Sequence, residues 1–321
     1  MRRIYTIGEA LIDFVPHEIG VSMDQVQSFK KSPGGAPANV AAAVAKLGGS
    51  SAFIGQVGDD LFGYYLKRIL AQNNVDVTHM FHTKEANTAL AFVALKENGE
   101  REFSFYRKPS ADMLLAKEYI ENISFTAEDI LHFCSVSLLE SPVKYAHIEV
   151  ITSIKNQGGL VVFDPNVRKT LWEDEASYQK TINEFIDYAD ILKVSDDEML
   201  FITGKETIEE GIQYLLSKPI SLLVLTKSKD GVAFITNKEV IEVPGFSVKS
   251  IDSTCAGDSF LGAFLRQFAL KDKVINQLSN KEWIEIGRYS NAVAALVTTK
   301  KGAIMALPNE EEVMEFLRIN K

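Results

Sequence analysis

The run Asp252-Ser253-Thr254-Cys255-Ala256-Gly257-Asp258 sets a carboxylate just inside a helix that opens on small residues. Phe260, Leu261, Phe264, Leu265 and Phe268 recur at helical spacing, which predicts a helix starting near Ala256. The first turn of a helix exposes unpaired N–H groups and the positive end of its dipole. Small side chains let an anion reach that backbone. Asp258 then sits beside the anion, placed to take a proton from a hydroxyl that attacks a held phosphoryl group. A simpler reading of this stretch is a helix capped by Asp252 or Thr254, with Asp258 favouring the dipole.

A second constellation is Gly34-Gly35-Ala36-Pro37-Ala38-Asn39-Val40-Ala41. Paired glycines permit close backbone approach to a ligand. Asn39, in the first turn of the following helix, can donate to and accept from a hydroxylated ligand. It could equally bond a neighbouring loop across a tight turn. The common nucleotide motifs are missing. No G-x-G-x-x-G follows the first strand, and Gly204-Lys205 lacks the upstream Gly and the following Ser or Thr of a P-loop.

The elements that must position these residues follow from composition and pattern. The chain has 321 residues, 46% of them hydrophobic, enough for a large core. A net charge of −9 argues against a nucleic-acid or anionic-membrane surface. Cys134 and Cys255, the two cysteines, have neither metal nor disulfide spacing, which points to a reducing, cytoplasmic setting. Arg2 and Arg3 precede an apolar run, but Glu9 and Asp13 interrupt it, so it reads as a strand rather than a leader. No apolar stretch is long enough to span a bilayer.

Strands are predicted at Ile4–Val15, Ser51–Val57, Ile130–Val136, Leu160–Phe163, Ile191–Val194 and Leu222–Leu225. The last four are short, nearly continuous apolar runs, as in a parallel sheet buried on both faces. Helices are predicted at Pro37–Leu47, Asp60–Gln72, Pro142–Asn156, Tyr178–Tyr188 and Ile208–Leu216. This is the rhythm of one doubly wound α/β domain over residues 1–321. Two segments break it. Thr88–Lys96 and Glu100–Arg107 flank Glu97-Asn98-Gly99 and read as a hairpin. Residues 15–33 are polar and irregular. Together the segments at about 15–33 and 88–107 are expected to form a small β-sheet lid. One apolar face of such a sheet needs cover, which a second chain's lid would supply, so a homodimer is expected.

The chain resembles the ribokinase-like (PfkB) carbohydrate kinases, and within them the fructokinase branch. The resemblance rests on Gly8-Glu9-Ala10-Leu11-Ile12-Asp13-Phe14, the Gly-Gly-Ala-Pro-Ala-Asn-Val block, Phe103-Ser104-Phe105-Tyr106-Arg107 and Ser110-Ala111-Asp112. It continues through Asp164-Pro165-Asn166-Val167-Arg168 and Ala256-Gly257-Asp258 to Gly302-Ala303, in the family's order along essentially the whole chain.

The resemblance implies transfer of the γ-phosphoryl group of ATP to the 6-hydroxyl of a sugar, D-fructose in this branch. Asp258 matches the catalytic base, and the N–H groups of Cys255, Ala256, Gly257 and Asp258 the anion hole. Asp13, Gly34, Gly35 and Asn39 match sugar-facing positions, and Phe105 could line the same pocket or simply pack within the lid; Asp13 by itself could as well cap the next turn. Arg107 and Arg168 match basic residues that reach the substrate or the transferring phosphate, though either could be a surface ion pair. Lys193 and Ser195 lie where the family places its nucleotide-side N-x-x-E motif, with Ser195 in place of Asn. Glu198 matches the acid that organises Mg²⁺ through water, in a stretch that would also suit an acid-rich helix start. Thr226, Ser228, Gly231 and Asn291 match nucleotide positions, the family often having Gly where Ser228 stands. Asp252 with the carbonyls of Thr254, Val297, Gly302 and Ala306 matches a K⁺ site. Cys255, where Gly or Ala is usual, reads as a buried inert thiol rather than a reactive one. Kinases for 2-keto-3-deoxygluconate, ribose or nucleosides are the alternatives within the family; an acid sugar would set its carboxylate against Arg107 or Arg168. A sugar-binding regulator without catalysis is the alternative outside it.

Overall fold

The computed structural model describes residues 2–18, 20–95 and 101–320, with no account given of the side chains of 95 and 101–103. The expected turn at Glu97-Asn98-Gly99 lies outside the described residues.

The chain starts in β1 (Ile4–Ile7) and resumes in β2 (Leu11–Pro16), then β3 (Phe29–Gly34). The single strand expected over Ile4–Val15 is therefore two strands, and they belong to different sheets. Gly8 causes the break: its φ of 145° is open only to glycine. α1 (Ala36–Lys46) follows with Pro37 in its first turn, where the missing N–H costs nothing. β4 (Ser51–Gly58) leads to α2 (Leu61–Gln72), capped by Asp60, whose carboxylate accepts from the N–H groups of Phe62 and Gly63. β5 (Met80–Thr83), β6 (Leu90–Leu95) and β7 (Arg101–Tyr106) come next.

The second half alternates as expected: β8 (Ile130–Cys134), α3 (Pro142–Asn156), β9 (Leu160–Asp164), α4 (Glu175–Ile186), β10 (Ile191–Ser195), α5 (Asp196–Thr203), α6 (Ile208–Leu216) and β11 (Leu222–Thr226). α4 starts before Tyr178 because Asp174 caps it. α5 is the acid-rich helix start that the Glu198 stretch also suited, opened by a capping box between Ser195 and Glu198. β12 (Val232–Ile235), β13 (Val240–Val243), α7 (Ala256–Lys271), α8 (Asn280–Thr298) and α9 (Glu310–Ile319) complete the chain.

Among the described residues the larger sheet has nine strands in the order β13-β12-β11-β10-β9-β8-β1-β4-β5. It is parallel from β11 to β5, with β12 and β13 antiparallel at one edge. This is an α/β doubly wound sheet, with α3 to α6 covering one face and α1, α7 and α8 the other. Phe133 and Phe163 stack on the first face and Phe234 and Phe264 on the second. Each such fully buried ring contributes roughly 1.5–3 kcal/mol. The smaller sheet runs β3-β2-β6-β7, so the two segments that broke the rhythm share a sheet but are joined through β2, whose Ile12–Phe14 pair with Leu90–Phe92. No helix among the described residues is long and apolar enough to cross a membrane.

One packing contact sets the site. Gly262 on α7 faces α1, and a Cβ there would stand 2.5 Å from the Ala43 Cβ. Its absence lets the two helices close up, which brings Asn39 of α1 against the first turn of α7.

Candidate active site

Parallel strands end together, and ligands gather beyond their carboxyl ends. Asp164 ends β9, Ser195 ends β10 and Thr226 ends β11. α7 aims its N-terminus at the same edge. Cys255 is its N-cap, in the left-handed conformation at φ 66° and without a side-chain capping bond. The Asp252 carboxylate instead accepts from the backbone N–H groups of Thr254 at 2.8 Å and Gly302 at 3.1 Å. Neither residue caps α7, which removes the simpler reading of this stretch. The Ala256 N–H donates to the Ser253 carbonyl at 3.2 Å, closing the turn.

Asp258 is buried in the first turn. Its Oδ2 accepts from Asn39 Nδ2 at 2.8 Å and its Oδ1 from Asn166 Nδ2 at 3.1 Å. Burial raises its pKa, against the Asn39 bond, the charges of Arg168 and Lys193 and the Asn166 bond. Lys193, also buried, donates to both oxygens of Asp164 at 3.1 and 3.0 Å. Burial lifts Asp164 to about 6 despite the pull of Lys193. The lysine stays charged because Asp164 and Glu198 outweigh its own desolvation. Glu198 accepts from the N–H groups of Val167 at 2.8 Å and Ser195 at 2.9 Å. Its burial is outweighed by Lys193 and these N–H groups, which hold its pKa below the usual carboxylate range.

Two adjoining cavities meet at this point. The smaller, about 430 Å³, is lined by Glu9, Asp13, Gly35, Asn39, Phe105, Asn166, Arg168 and the Cys255–Asp258 turn. The larger, about 630 Å³, is lined by Lys193, Ser195, Thr226, Ser228, Gly231, Gly257 and Asn291, with Phe246 and Phe260. Arg168, Lys193, Glu198, Ser253, Ala256 and Gly257 line both, so the start of α7 is the wall they share.

Every residue expected on the nucleotide side thus lines the larger cavity. Ser228 sits at φ 49°, a conformation glycine adopts freely, which accounts for the Gly often found there. Asn291 donates to the carbonyls of Val243 at 3.2 Å and Pro244 at 3.0 Å, bracing the edge beyond β13.

On the sugar side Gly34 backs Asp13 without lining the cavity: a Cβ on it would stand 2.2 Å from Asp13 Oδ2. Arg107 is not brought to the cavity. It is fully buried, paired through its guanidinium with Asp112 and donating to the Val136 carbonyl at 3.2 Å. A buried guanidinium has to be paired, and the turn after β7 supplies the carboxylate. Burial raises the Cys255 thiol, which favours its protonated form.

Sequence reasoning left out Glu9 and Asn166 as site residues. Glu9 is buried, accepts from Ser137 Oγ at 2.8 Å and from the Ala36 N–H at 3.1 Å, and lines the smaller cavity. Both lay inside motifs already singled out. The signal for Asn166 was a residue type tolerant of positive φ just after a strand-ending Asp-Pro.

No group of three or more His, Cys, Asp or Glu among the described residues could hold a metal directly. Glu198, ionised and on the shared wall, fits water-mediated contact with Mg²⁺, which keeps much of its hydration shell. For K⁺, Asp252, Thr254 and Gly302 are tied together, and the Thr298 carbonyl accepts from the Asp252 N–H at 3.1 Å. Val297 and Ala306 pack with Cys255 in one apolar cluster beside them. The Val297 carbonyl accepts from the Lys300 N–H at 3.1 Å.

Over residues 1–310 the chain matches the pfkB family carbohydrate kinase. It belongs to that family. It is 44% identical over 317 residues to probable fructokinase-2 of Arabidopsis thaliana, covering 98% of this chain and 96% of that protein. A double mutant of fructokinase from Vibrio cholerae O395, solved with fructose, ADP and potassium ion, superposes with a TM-score of 0.90. It is 37% identical, covering 99% of this chain and 98% of that one. A fructokinase from Xylella fastidiosa with bound ATP gives a TM-score of 0.88 at 34% identity, over 99% and 98% of the two chains.

Proposed function

We propose that this carbohydrate kinase transfers the γ-phosphoryl group of ATP to the 6-hydroxyl of D-fructose, with Asp258 as general base. The observation that carries the reading is a buried carboxylate, Asp258, that lines the smaller cavity one residue past Gly257, where the two cavities meet. ATP would occupy the larger cavity and the sugar the smaller. Asp258 takes the hydroxyl proton. The hydroxyl oxygen bonds to the γ-phosphorus, and the bond to the β,γ-bridging oxygen breaks, so ADP leaves with that electron pair. Arg168 and Lys193 line both cavities and offset the moving charge.

A neutral sugar suits the smaller cavity. Glu9, Asp13 and Asp258 line it with carboxyl groups, while Arg168 and Lys193 stand only at the shared wall. An acid sugar would meet like charge. Fructose as substrate is further supported by the fructokinases to which the chain is similar.

Glu198 would hold Mg²⁺ through water, the ion neutralising phosphate charge. Asp252 and the carbonyls of Thr254, Val297, Gly302 and Ala306 would hold K⁺ and brace the turn before α7. K⁺ is then expected to raise activity at saturating Mg²⁺, and equal rates in a bulky organic cation at matched ionic strength would refute it. Residues 1–321 would act as one α/β unit in the cytoplasm, with the smaller sheet as a lid. The lid's outer face carries Phe14, Phe29, Phe92 and Tyr106 in ring contact, and a second copy's lid would cover it.

The test is kcat/KM for fructose against 2-keto-3-deoxygluconate, ribose and adenosine, beside Asp258→Asn. Fructose is expected to lead. A competitor better by more than about tenfold, ~1.4 kcal/mol in transition-state binding, overturns the substrate. Asp258→Asn is expected to cut turnover ~10²–10⁴-fold with sugar binding retained. Near-normal turnover removes Asp258 from the mechanism and reopens a non-catalytic role for it.

A further inference from the structure

We propose that Asn166 and Asn39 are a pair of positioning residues that clamp the Asp258 carboxylate by its two oxygens, a reading that rests on Asp258 being the base. Three elements meet to build the clamp: α1 supplies Asn39, the loop after β9 supplies Asn166, and α7 carries Asp258. The amides donate at 2.8 Å to Oδ2 and at 3.1 Å to Oδ1. A carboxylate oxygen has two lone-pair sites. Each amide takes one, which fixes the plane of the carboxylate and leaves a site on each oxygen for the incoming hydroxyl.

Asn166 is itself held rigidly. Its backbone N–H donates to Asp164 Oδ1 at 3.2 Å, and the Pro165 carbonyl accepts from the Ser135 N–H at 3.1 Å. The Val167 N–H donates to Glu198 at 2.8 Å and the Arg168 N–H to Tyr178 at 2.9 Å. Its φ of 47° is one that Asn tolerates better than most residues. So the position selects for both the backbone and the amide. Asn39 turns its Oδ1, buried and without a partner, on the side away from this bond.

Amide donors keep a buried base ionised without neutralising it. An ion pair would blunt the base, and Lys193 is occupied by Asp164 instead. The charged and titratable groups around Asp258 are Asp164 of β9, Arg168 of the next loop, Lys193 of β10, Glu198 of α5, Cys134 of β8, Cys255 at its own N-cap, and Asp13 of β2 and Glu9 of the loop before it, lining the same cavity. The two cations and the two amides favour the carboxylate; burial and the neighbouring acids oppose it.

Removing a donor raises the pKa of the base. The base works only when ionised, so the acid limb of the kcat–pH profile moves to higher pH. Asn166→Gly keeps the backbone free to adopt φ 47° and deletes the amide. It is expected to lower kcat about 10–100-fold, with the KM for ATP little changed. The acid limb is expected to rise by about one unit. Asn166→Asp, close in shape, sets a second acid on Oδ1 and should move the limb further, since two adjacent carboxyls share a proton. Thermal melts confirm folding, and Asn166→Asp carries the test should Asn166→Gly not fold. If the acid limb stays put in both variants and kcat stays within about twofold, while Asp258→Asn is inactive, the clamp is wrong and the base survives. If Asp258→Asn turns over normally, it is the base that is wrong.

Discussion

Asp13 leaves no room behind it. A methyl at Gly34 would collide with its carboxylate at 2.2 Å, and that carboxylate lines the sugar cavity. Gly34→Ala is therefore expected to raise the KM for fructose about 10–100-fold, the cost of one hydrogen bond to a charged group. The KM for ATP should hold, and initial rates with each substrate varied in turn will show whether the two separate. At this scale much was legible. Asp258 stood out because small residues precede a strongly periodic apolar helix, and Asp13 because its motif is distinctive. Ser228 and Cys255 looked like departures but occupy positive φ, so what the motif specifies there is a backbone shape. Arg107 was misplaced because its partner, Asp112, is chosen by a turn. Asn166 was overlooked because its partner lies 92 positions away on another element.

The root of the smaller sheet depends on a helix cap. Asp60 caps α2 and also accepts from the Thr88 N–H and hydroxyl, both at 2.8 Å, just before β6. The Thr88 hydroxyl in turn accepts from the Gly58 N–H at 3.0 Å. These N–H groups outweigh partial burial and hold the Asp60 carboxyl below its ordinary pKa. Asp60→Ala should cost about 1–3 kcal/mol. It should also weaken fructose binding, because Phe105 reaches the cavity from β7, which pairs with β6. Denaturant titration and sugar KM read the two effects, and an unchanged KM would detach this cap from the site. Interior strands were plain in the sequence because burial on both faces makes them uniformly apolar. The break between β1 and β2 was hidden, since apolar residues resume directly after Gly8-Glu9 and the dihedral of Gly8 is what marks it. β5, β12 and β13 also escaped: strands of four residues carry too little pattern.

For the molecule as a whole, the proposed dimer would rest on the outer face of the smaller sheet. Tyr106 is 63% exposed beside the Phe92 ring, which stacks on Phe14. Sedimentation at micromolar concentration is expected to give a dimer. Tyr106→Glu should weaken it by about 2 kcal/mol or more, in the range of a buried aromatic anchor. A wild-type monomer would end the idea. The division of the smaller cavity between the two sheets has one more consequence. Asp13 and Phe105 come from the smaller sheet, while Asp258 comes from α7 and Asn166 from the loop after β9, at the carboxyl edge of the larger one. Fructose is long enough to touch both; a water molecule is not. A sugar bridging both would complete the proposed site, so ATP without sugar is expected to turn over slowly, each ATP consumed being coupled to a sugar that leaves phosphorylated.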